Sequence, residues 1–190
     1  MPTQGTNAQQ KYFSSNSTFM DTIAKKTSIG SNFAQIAWVV KDITVAERFF
    51  REAMGIANFS KAEIIRLKEF EATYYGEPCD GESLVSIAYS GGTFIELIQP
   101  LSGRSIFQDY IDKNPAGGVH HIAYSIPVAN LDKVISEMAN KGTPVITSVN
   151  HPIATIVFFD TSKDIGVFTE VMGITEEGEK AVQKMKTGKI

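Results

Sequence analysis

The chain has 190 residues, of which 43% are apolar and 21% are charged, with a net charge of −3. This composition allows one globular domain with a substantial core, and it gives no reason to expect nucleic acid or an anionic membrane as a partner. A single cysteine, Cys79, excludes an internal disulfide, and no apolar run approaches the length of a membrane helix, so we expect a cytoplasmic protein.

The first 32 residues are rich in Ser, Thr, Gln and Asn, which is typical of a polar arm outside a packed core. From residue 33 the sequence becomes periodic, and we predict a single domain over 33–173. It divides into a first module (33–99), a connector (100–118) and a second module (119–173), followed by a C-terminal tail (174–190). The connector is expected to hold a short helix over 105–113, and the tail to be a solvated helix or a frayed end.

The first module begins with an apolar strand over 33–42 and continues with a helix that Thr44 and Glu47 would cap. A weaker strand is expected within 61–75. Two further strands, over 83–90 and 93–99, are joined by the turn Gly91-Gly92.

The second module repeats this order. Its first strand covers 119–128, its helix would begin at Asn130 and end at Gly142, and its other strands are predicted as follows: 143–149, 154–160 and 166–172. Each half is therefore predicted as βαβββ in an α+β fold, with an insertion of about a dozen residues in the first half, within 61–82.

Four polar side chains occupy matched positions in this repeat. Gln35 and His121 hold the same place in the two first strands, and Glu96 and Glu170 hold the same place in the two last strands. A carboxylate inside an apolar strand is costly unless a cation holds it. If the halves pack with pseudo-two-fold symmetry, the four groups converge in a shared groove.

Two carboxylates, one imidazole and one amide oxygen form a plausible ligand set for one divalent ion. The set lacks thiolate, which favours Mg²⁺, Mn²⁺, Co²⁺, Ni²⁺ or Zn²⁺. Taken singly, each residue has an ordinary explanation, because a strand glutamate can face solvent and His121 can be a hydrogen-bonded structural histidine. His120 is one residue out of step with the strand alternation, so we expect it to face the other side in a supporting role.

This pattern resembles the vicinal oxygen chelate superfamily, which includes glyoxalase I, methylmalonyl-CoA epimerase, extradiol dioxygenases, and fosfomycin and bleomycin resistance proteins. The resemblance covers about 33–173, and the stretch from 92 to 127 is especially similar to the epimerase and its relatives. It implies a U-shaped mixed sheet in each half around a shared metal groove, and usually a homodimer. The ligands it implies are Gln35, Glu96, His121 and Glu170.

The resemblance leaves the reaction open. The ligand set is that expected of glyoxalase I, a lactoylglutathione lyase, but Val39, Pro100 and Gly117 stand where that enzyme has two Arg and an Asn that hold glutathione. Gln35 breaks the pattern of extradiol dioxygenases, and a full ligand set counts against a non-catalytic resistance-type binder. An epimerase-like enzyme remains, although its first ligand is usually His.

The expected chemistry is removal of a proton next to a carbonyl or thioester, with the metal stabilising the enolate. Glu170 is the first candidate for the base and Glu96 the second. Asp80 or Glu82, in the loop before a predicted strand, would return the proton on the other face. The expected substrate is a small carbonyl compound or acyl thioester.

Overall fold

The computed structural model describes residues 29–30 and 32–187, so most of the polar arm predicted for residues 1–32 lies outside the described residues. The described chain contains ten strands: β1 (Phe33–Val39), β2 (Glu63–Arg66), β3 (Thr73–Tyr74), β4 (Glu77–Pro78), β5 (Glu82–Ser90), β6 (Thr93–Ser102), β7 (Gly118–Pro127), β8 (Val145–His151), β9 (Ala154–Phe159) and β10 (Phe168–Ile174). Its α-helices are α1 (Ile43–Glu52), α2 (Ile106–Lys113), α3 (Leu131–Asn140), α4 (Ser162–Ile165) and α5 (Glu176–Lys186). Short 3₁₀ helices cover Leu67–Phe70 and Val128–Asn130.

The strands form one mixed sheet in the order β2-β5-β6-β1-β7-β10-β9-β8-β3-β4. The first half contributes β2-β5-β6-β1, and the second half contributes β7-β10-β9-β8. The strands β7, β10, β9 and β8 correspond to β1, β6, β5 and β2, so the two halves have the same strand order, reversed across the β1–β7 pair. The predicted α+β fold with two βαβββ modules is confirmed. The two modules share a continuous sheet because β1 pairs antiparallel with β7.

The pairing places the first and last strand of each half side by side. β1 runs parallel to β6, and β7 runs parallel to β10. A parallel pair needs a long crossover connection, which the intervening helix and strands of each module provide. The centre of the sheet is therefore β6-β1-β7-β10, the four strands in which the matched polar residues lie.

A hairpin in the first half completes the sheet of the second half. β3 and β4 lie inside the predicted insertion, and Thr73 and Tyr74 of β3 pair with Ser148 and Thr147 of β8. One 3₁₀ helix and two residues separate β2, at one edge of the sheet, from β3, near the other edge. Such a short connection requires the sheet to curl until its two edges approach each other.

The helix starts agree with the sequence prediction at Asn130, which is the N-cap residue of α3, and differ from it at Thr44. The predicted cap at Thr44 is wrong, because Asp42 Oδ1 accepts hydrogen bonds from the backbone N–H groups of Thr44 and Val45 at 2.9 and 3.1 Å. Asn130 makes no side-chain cap bond, since a 3₁₀ helix runs directly into α3. Ser105 does cap α2, where its Oγ accepts from the Gln108 N–H at 3.0 Å.

The C-terminal segment is fixed to the second half. The Thr175 hydroxyl accepts from the Gly178 N–H at 3.1 Å and donates to the Ile153 carbonyl, also at 3.1 Å. Gly178 itself lies so close to that carbonyl that an added Cβ would collide with it.

No helix among the described residues is long and apolar enough to cross a bilayer.

Candidate metal centre

One polar side chain from each of the four central strands reaches the same face of the sheet. We call the group the polar cluster; its members are Gln35 (β1), Glu96 (β6), His121 (β7) and Glu170 (β10). Gln35, His121 and Glu170 are at most 6% exposed, and the Glu96 side chain is 16% exposed. The structure thus brings together the four residues that the repeat predicted as ligands.

Two alanines make room for the cluster. Ala37 of β1 is the register partner of Glu96 in β6 and of His121 in β7. Ala123 of β7 is the register partner of Gln35 in β1 and of Glu170 in β10. Register partners project to the same face of a sheet, so each alanine lies between two of the polar groups. Both alanines are fully buried. A larger residue at either position would fill the space into which the polar side chains extend.

The functional groups of the cluster are in direct contact. The Gln35 amide donates to Glu96 Oε2 at 2.9 Å and to Glu170 Oε2 at 3.4 Å, and its nitrogen lies 3.4 Å from His121 Nε2. His121 Nε2 is 3.1 Å from Glu170 Oε2 and 3.5 Å from Glu96 Oε2. The two carboxylates therefore converge on one imidazole nitrogen.

The charges of the cluster shift its pKa values strongly. Burial alone would lower the pKa of His121, but the charges and hydrogen bonds of Glu170 and Glu96 outweigh it and raise that pKa to about 9. Burial raises the pKa of Glu96, and Glu170 adds to the effect while His121 opposes it. At neutral pH His121 is therefore an imidazolium between two acids.

His120 supports the cluster from within the same strand. Trp38 pairs with Val119 where regular pairing would place His120, so a β-bulge lets His120 leave the strand alternation. Its Nδ1 lies 2.9 Å from His121 Nδ1, and its ring stacks on Phe168 with the centroids 4.9 Å apart. Burial, together with the charge of His121, holds the pKa of His120 well below its usual range. Neutral His120 can therefore accept the Nδ1–H of His121, which leaves Nε2 directed at the carboxylates.

The donor set fits a divalent cation in chemistry and in spacing. Ligand atoms bound about 2.0–2.2 Å from one ion lie about 2.8–3.6 Å from each other, and the contacts within the cluster fall in this range. Within the described residues, however, no three His, Cys, Asp or Glu side chains form a ready-made metal cage. The cluster groups hydrogen-bond to one another, so holding an ion would require Gln35 to turn its amide oxygen inward and His121 to lose the proton that faces the carboxylates. Four donors from four strands nevertheless lie within hydrogen-bond distance of one another, and turning the Gln35 amide requires only a side-chain rotation.

A cavity of about 330 Å³ opens beside the cluster, and Gln35, Glu96 and Glu170 form part of its wall. Most of the remaining wall is apolar and comes from both halves. Phe107 of α2 and Phe158 of β9 lie next to the cluster, with the two rings 5.9 Å apart. A small molecule in this cavity would therefore lie beside the two carboxylates.

The structure does not bring Asp80 and Glu82 to the cavity. Asp80 is exposed, and its Oδ1 accepts a hydrogen bond from the Arg104 backbone N–H at 2.9 Å. Glu82 pairs with Arg66 at 3.3 Å. Neither residue lines the cavity, so a proton-returning role for them stays a sequence prediction without support from their placement.

Two parts of the site were missed by the sequence reasoning. The bulge that turns His120 toward His121 leaves no mark in a single sequence, although the adjacent histidines drew attention to the position. The second part is α5, which was predicted as a solvated helix or a frayed end and contributes Val182, Met185 and Lys186 to the cavity wall. The apolar spacing of Val182 and Met185 in an otherwise charged helix was the available signal.

Comparison with known proteins agrees with this architecture. Residues 34–159, more than half of the chain, match the family model of the glyoxalase/bleomycin resistance protein/dioxygenase superfamily. The chain is similar to the mitochondrial methylmalonyl-CoA epimerase of Mus musculus, with 29% identity over 106 residues that cover 56% of this chain and 51% of the mouse protein. It is also similar to an ethylmalonyl-CoA/methylmalonyl-CoA epimerase of Cereibacter sphaeroides, with 32% identity over 91 residues, 48% of this chain and 58% of that protein.

The chain thus spans about half the length of these curated relatives. Among solved structures, it resembles methylmalonyl-CoA epimerase from Mycobacterium tuberculosis with a TM-score of 0.56 and 19% identity, covering 82% of this chain and 95% of that one. At this identity the likeness shows the fold alone. The family model, the duplicated modules and the confirmed sheet lead to one conclusion: the chain belongs to the glyoxalase/bleomycin resistance protein/dioxygenase superfamily, the vicinal oxygen chelate superfamily that the sequence resembles.

Proposed function

We propose that the protein is a divalent-metal-dependent isomerase of the epimerase type, which removes and returns a proton next to a carbonyl or thioester. The observation that carries the proposal is the convergence of two carboxylates, buried Glu170 and largely buried Glu96, on His121, beside a cavity large enough for a small molecule. The similarity to methylmalonyl-CoA epimerases supports the reaction type.

Gln35, Glu96, His121 and Glu170 would hold the ion. Bound there, it would stabilise the negative charge that develops on the carbonyl oxygen of the substrate. Gln35 and His121 would add two uncharged ligand atoms, an amide oxygen and an imidazole nitrogen, between the two carboxylates. Neutral His120, which accepts from His121 Nδ1, keeps the other imidazole nitrogen facing the centre.

Proton abstraction is assigned to Glu170. A carboxylate oxygen of Glu170 takes the proton from the carbon next to the carbonyl, and the C–H electron pair moves into the substrate. Glu96 stays ionised as a ligand, and a water molecule returns a proton to the opposite face of that carbon. One turnover leaves Glu170 protonated and the water as hydroxide, and transfer of the Glu170 proton to the hydroxide restores both.

A second candidate function follows from the cavity itself. An apolar cavity walled by aromatic residues such as Phe33, Phe94 and Phe107 suits a protein that sequesters a small molecule without changing it. This candidate predicts ligand binding without isotope exchange. It also predicts no dependence of ligand binding on a divalent ion.

The deciding experiment is metal analysis of the purified protein followed by solvent exchange in D₂O. The protein is loaded in turn with Zn²⁺, Ni²⁺, Co²⁺, Mn²⁺ and Mg²⁺, and incorporation of deuterium is followed by NMR in methylmalonyl-CoA and in uncharged α-substituted ketones and esters. Metal-dependent exchange above the protein-free rate supports the proposal, and removal of the metal by chelation should abolish it. Ligand binding without exchange in any substrate favours the sequestering protein. We also propose a homodimer, as is usual in the superfamily, and sedimentation analysis tests it.

A further inference from the structure

We propose that the cavity selects an uncharged, apolar carbonyl compound as its substrate and excludes acids such as methylmalonyl thioesters. The inference rests on the proposed function, because it names the substrate class of that same site. It follows from the chemistry of the cavity wall, from the charge of the polar cluster and from the positions of the cationic side chains.

The wall offers almost nothing to an anion. Of the 29 described residues that line the cavity, 21 have aliphatic or aromatic side chains, one is Gly92, and seven are polar: Gln35, Glu96, Ser125, Thr147, His151, Glu170 and Lys186. Moving a carboxylate or phosphate from water into such surroundings is costly unless a cation meets it. An alkyl or aryl group, in contrast, gains free energy from burial there.

Few cations border the cavity among the residues that the structure describes. Lys186 is the one Lys or Arg of the described wall; it is exposed, and its ammonium lies 5.8 Å from the ring of Tyr89, another wall residue. A solvated ammonium at the rim can meet the part of a ligand that stays in water, but not a group buried against the polar cluster. His151 has a pKa lowered by burial, so it is neutral near pH 7.

The polar cluster supplies no net positive charge either. Glu96 and Glu170 together balance the charge of one divalent ion, and Gln35 and a neutral His121 add none. A centre of this composition can polarise a neutral carbonyl, but it gives a carboxylate bound beside it no excess attraction. A third carboxylate would also face the first two.

Arg104 and Lys113, two cationic side chains near the connection between the halves, do not reach the cavity. Arg104 packs over the Tyr74 ring, with its guanidinium carbon 5.1 Å from the ring centroid, and Lys113 is exposed at the end of α2. Neither residue lines the cavity. The 330 Å³ volume lies near the lower end of the range typical of small-molecule sites.

The Thr147 hydroxyl adds one specific feature. Thr147 lies in the wall, is only 2% exposed, and its Oγ1 makes no hydrogen bond within the described structure. A substrate carbonyl oxygen can accept from such a hydroxyl, so the wall offers a neutral compound one hydrogen-bond donor.

The test compares two probes of the same skeleton, methyl 2-phenylpropanoate and the 2-phenylpropanoate anion, by isothermal titration at pH 7.5 with the metal-loaded and the metal-free protein. We expect the ester to bind at least tenfold more tightly than the acid in both forms, and methylmalonyl-CoA at millimolar concentration not to displace it. Equal affinities, tighter binding of the acid, displacement by methylmalonyl-CoA, or no binding of the ester would overturn the proposal.

A charge inserted into the wall provides a second readout. Met172→Lys places an ammonium among the lining residues of β10 and should shift the ester-to-acid affinity ratio at least tenfold toward the acid. Met54→Lys is the matched control on the outer surface, where Met54 is 61% exposed, and should leave the ratio unchanged. An unchanged ratio in a folded Met172→Lys protein contradicts the inference.

The outcomes separate this inference from the proposed function. An ester preference in a protein that shows neither metal uptake nor isotope exchange would refute the isomerase and leave the selectivity intact. Metal-dependent exchange into methylmalonyl-CoA, with no preference for the ester, would support the isomerase and refute the selectivity.

Discussion

His120 and His121 are consecutive residues of one strand, yet their Nδ1 atoms lie 2.9 Å apart and both rings are fully buried. In a regular strand, neighbours project to opposite faces. The bulge at His120 removes that alternation and turns a packing residue into a hydrogen-bond partner of a candidate ligand.

The first prediction concerns this contact. His120→Phe keeps an aromatic ring against Phe168 but removes the nitrogen that accepts from His121. Loss of such a supporting contact typically costs about 10- to 100-fold in metal affinity, and we expect this loss for Zn²⁺ in a competition titration. The control is Phe168→Leu, which weakens the ring stack but keeps the nitrogen. It should lower the free energy of unfolding by about 1–3 kcal/mol while changing zinc affinity little. The reverse result would mean that His120 acts only in packing.

The second prediction separates Glu170 from the loop acids. Glu170→Gln preserves the shape of the side chain and removes its charge, so metal affinity and isotope exchange should fall together, with exchange reduced by about 10²–10⁴. The control, Glu82→Gln, removes a charge that pairs with Arg66 outside the cavity and should leave exchange within about twofold. Exchange at the wild-type rate in a fully loaded Glu170→Gln protein would rule out Glu170 as the base.

The third prediction is proton release on metal binding. Because the His121 pKa is about 9 in the metal-free protein, the ring carries a proton at pH 7 that a metal ion must displace. Zinc uptake should therefore release about one proton or more, and the apparent affinity should rise about tenfold per pH unit until pH 9. Titration calorimetry in buffers of different ionisation enthalpy measures the number directly. Uptake without proton release at pH 7 would show that His121 is not a ligand.

The fourth prediction is the pH dependence of stability in the metal-free protein. The folded pKa of His121, about 9, lies above its value of about 6.5 in an unfolded chain, so the charged ring stabilises the fold. That contribution is complete below pH 6.5 and disappears as the pH rises through 9, a change of at most about 3 kcal/mol. Urea denaturation at several pH values should show this decline, and His121→Gln, which cannot titrate, should flatten it. A wild-type curve with the same slope as the variant contradicts the assignment.

The fifth prediction concerns the wall formed by α5. In Gly178→Ala the new methyl group would collide with the Ile153 carbonyl oxygen, so α5 must move away from β9. Affinity for the ester probe should fall by about tenfold or more, since Val182 and Met185 leave the cavity with the helix. Lys180→Ala, on the exposed side of the same helix, should leave binding unchanged. Full affinity in Gly178→Ala would show that the helix is dispensable for the cavity.

The repeat made much of this architecture predictable. Strand alternation and the matched spacing of Gln35 with His121, and of Glu96 with Glu170, were sufficient to expect one shared face. Both signals depend only on local periodicity, which a sequence records directly. Glu96 and Glu170 also stood out because a charge in an apolar strand requires an explanation.

Other features depended on information that is not local. The hairpin β3–β4 has strands of only two residues, and its partner is β8, more than 70 residues later. Asp42 and Thr44 are both residue types that commonly cap a helix, so the sequence does not distinguish them. Asp42 is the N-cap because its backbone is extended where the helix begins. The β-bulge at His120 depends on the pairing of β7 with β1, which no pattern within β7 specifies.

The β3–β4 hairpin also places apolar residues of the first half in a core cluster of the second half. Leu67 and Tyr74 from the first half share one apolar cluster with Ile146, Val149 and Phe158 from the second. The duplication is visible in the sheet, but this cluster is built from both copies, so a cut between them would expose part of it in each fragment. Contacts so distant in sequence also make folding slow relative to a helical protein of this size.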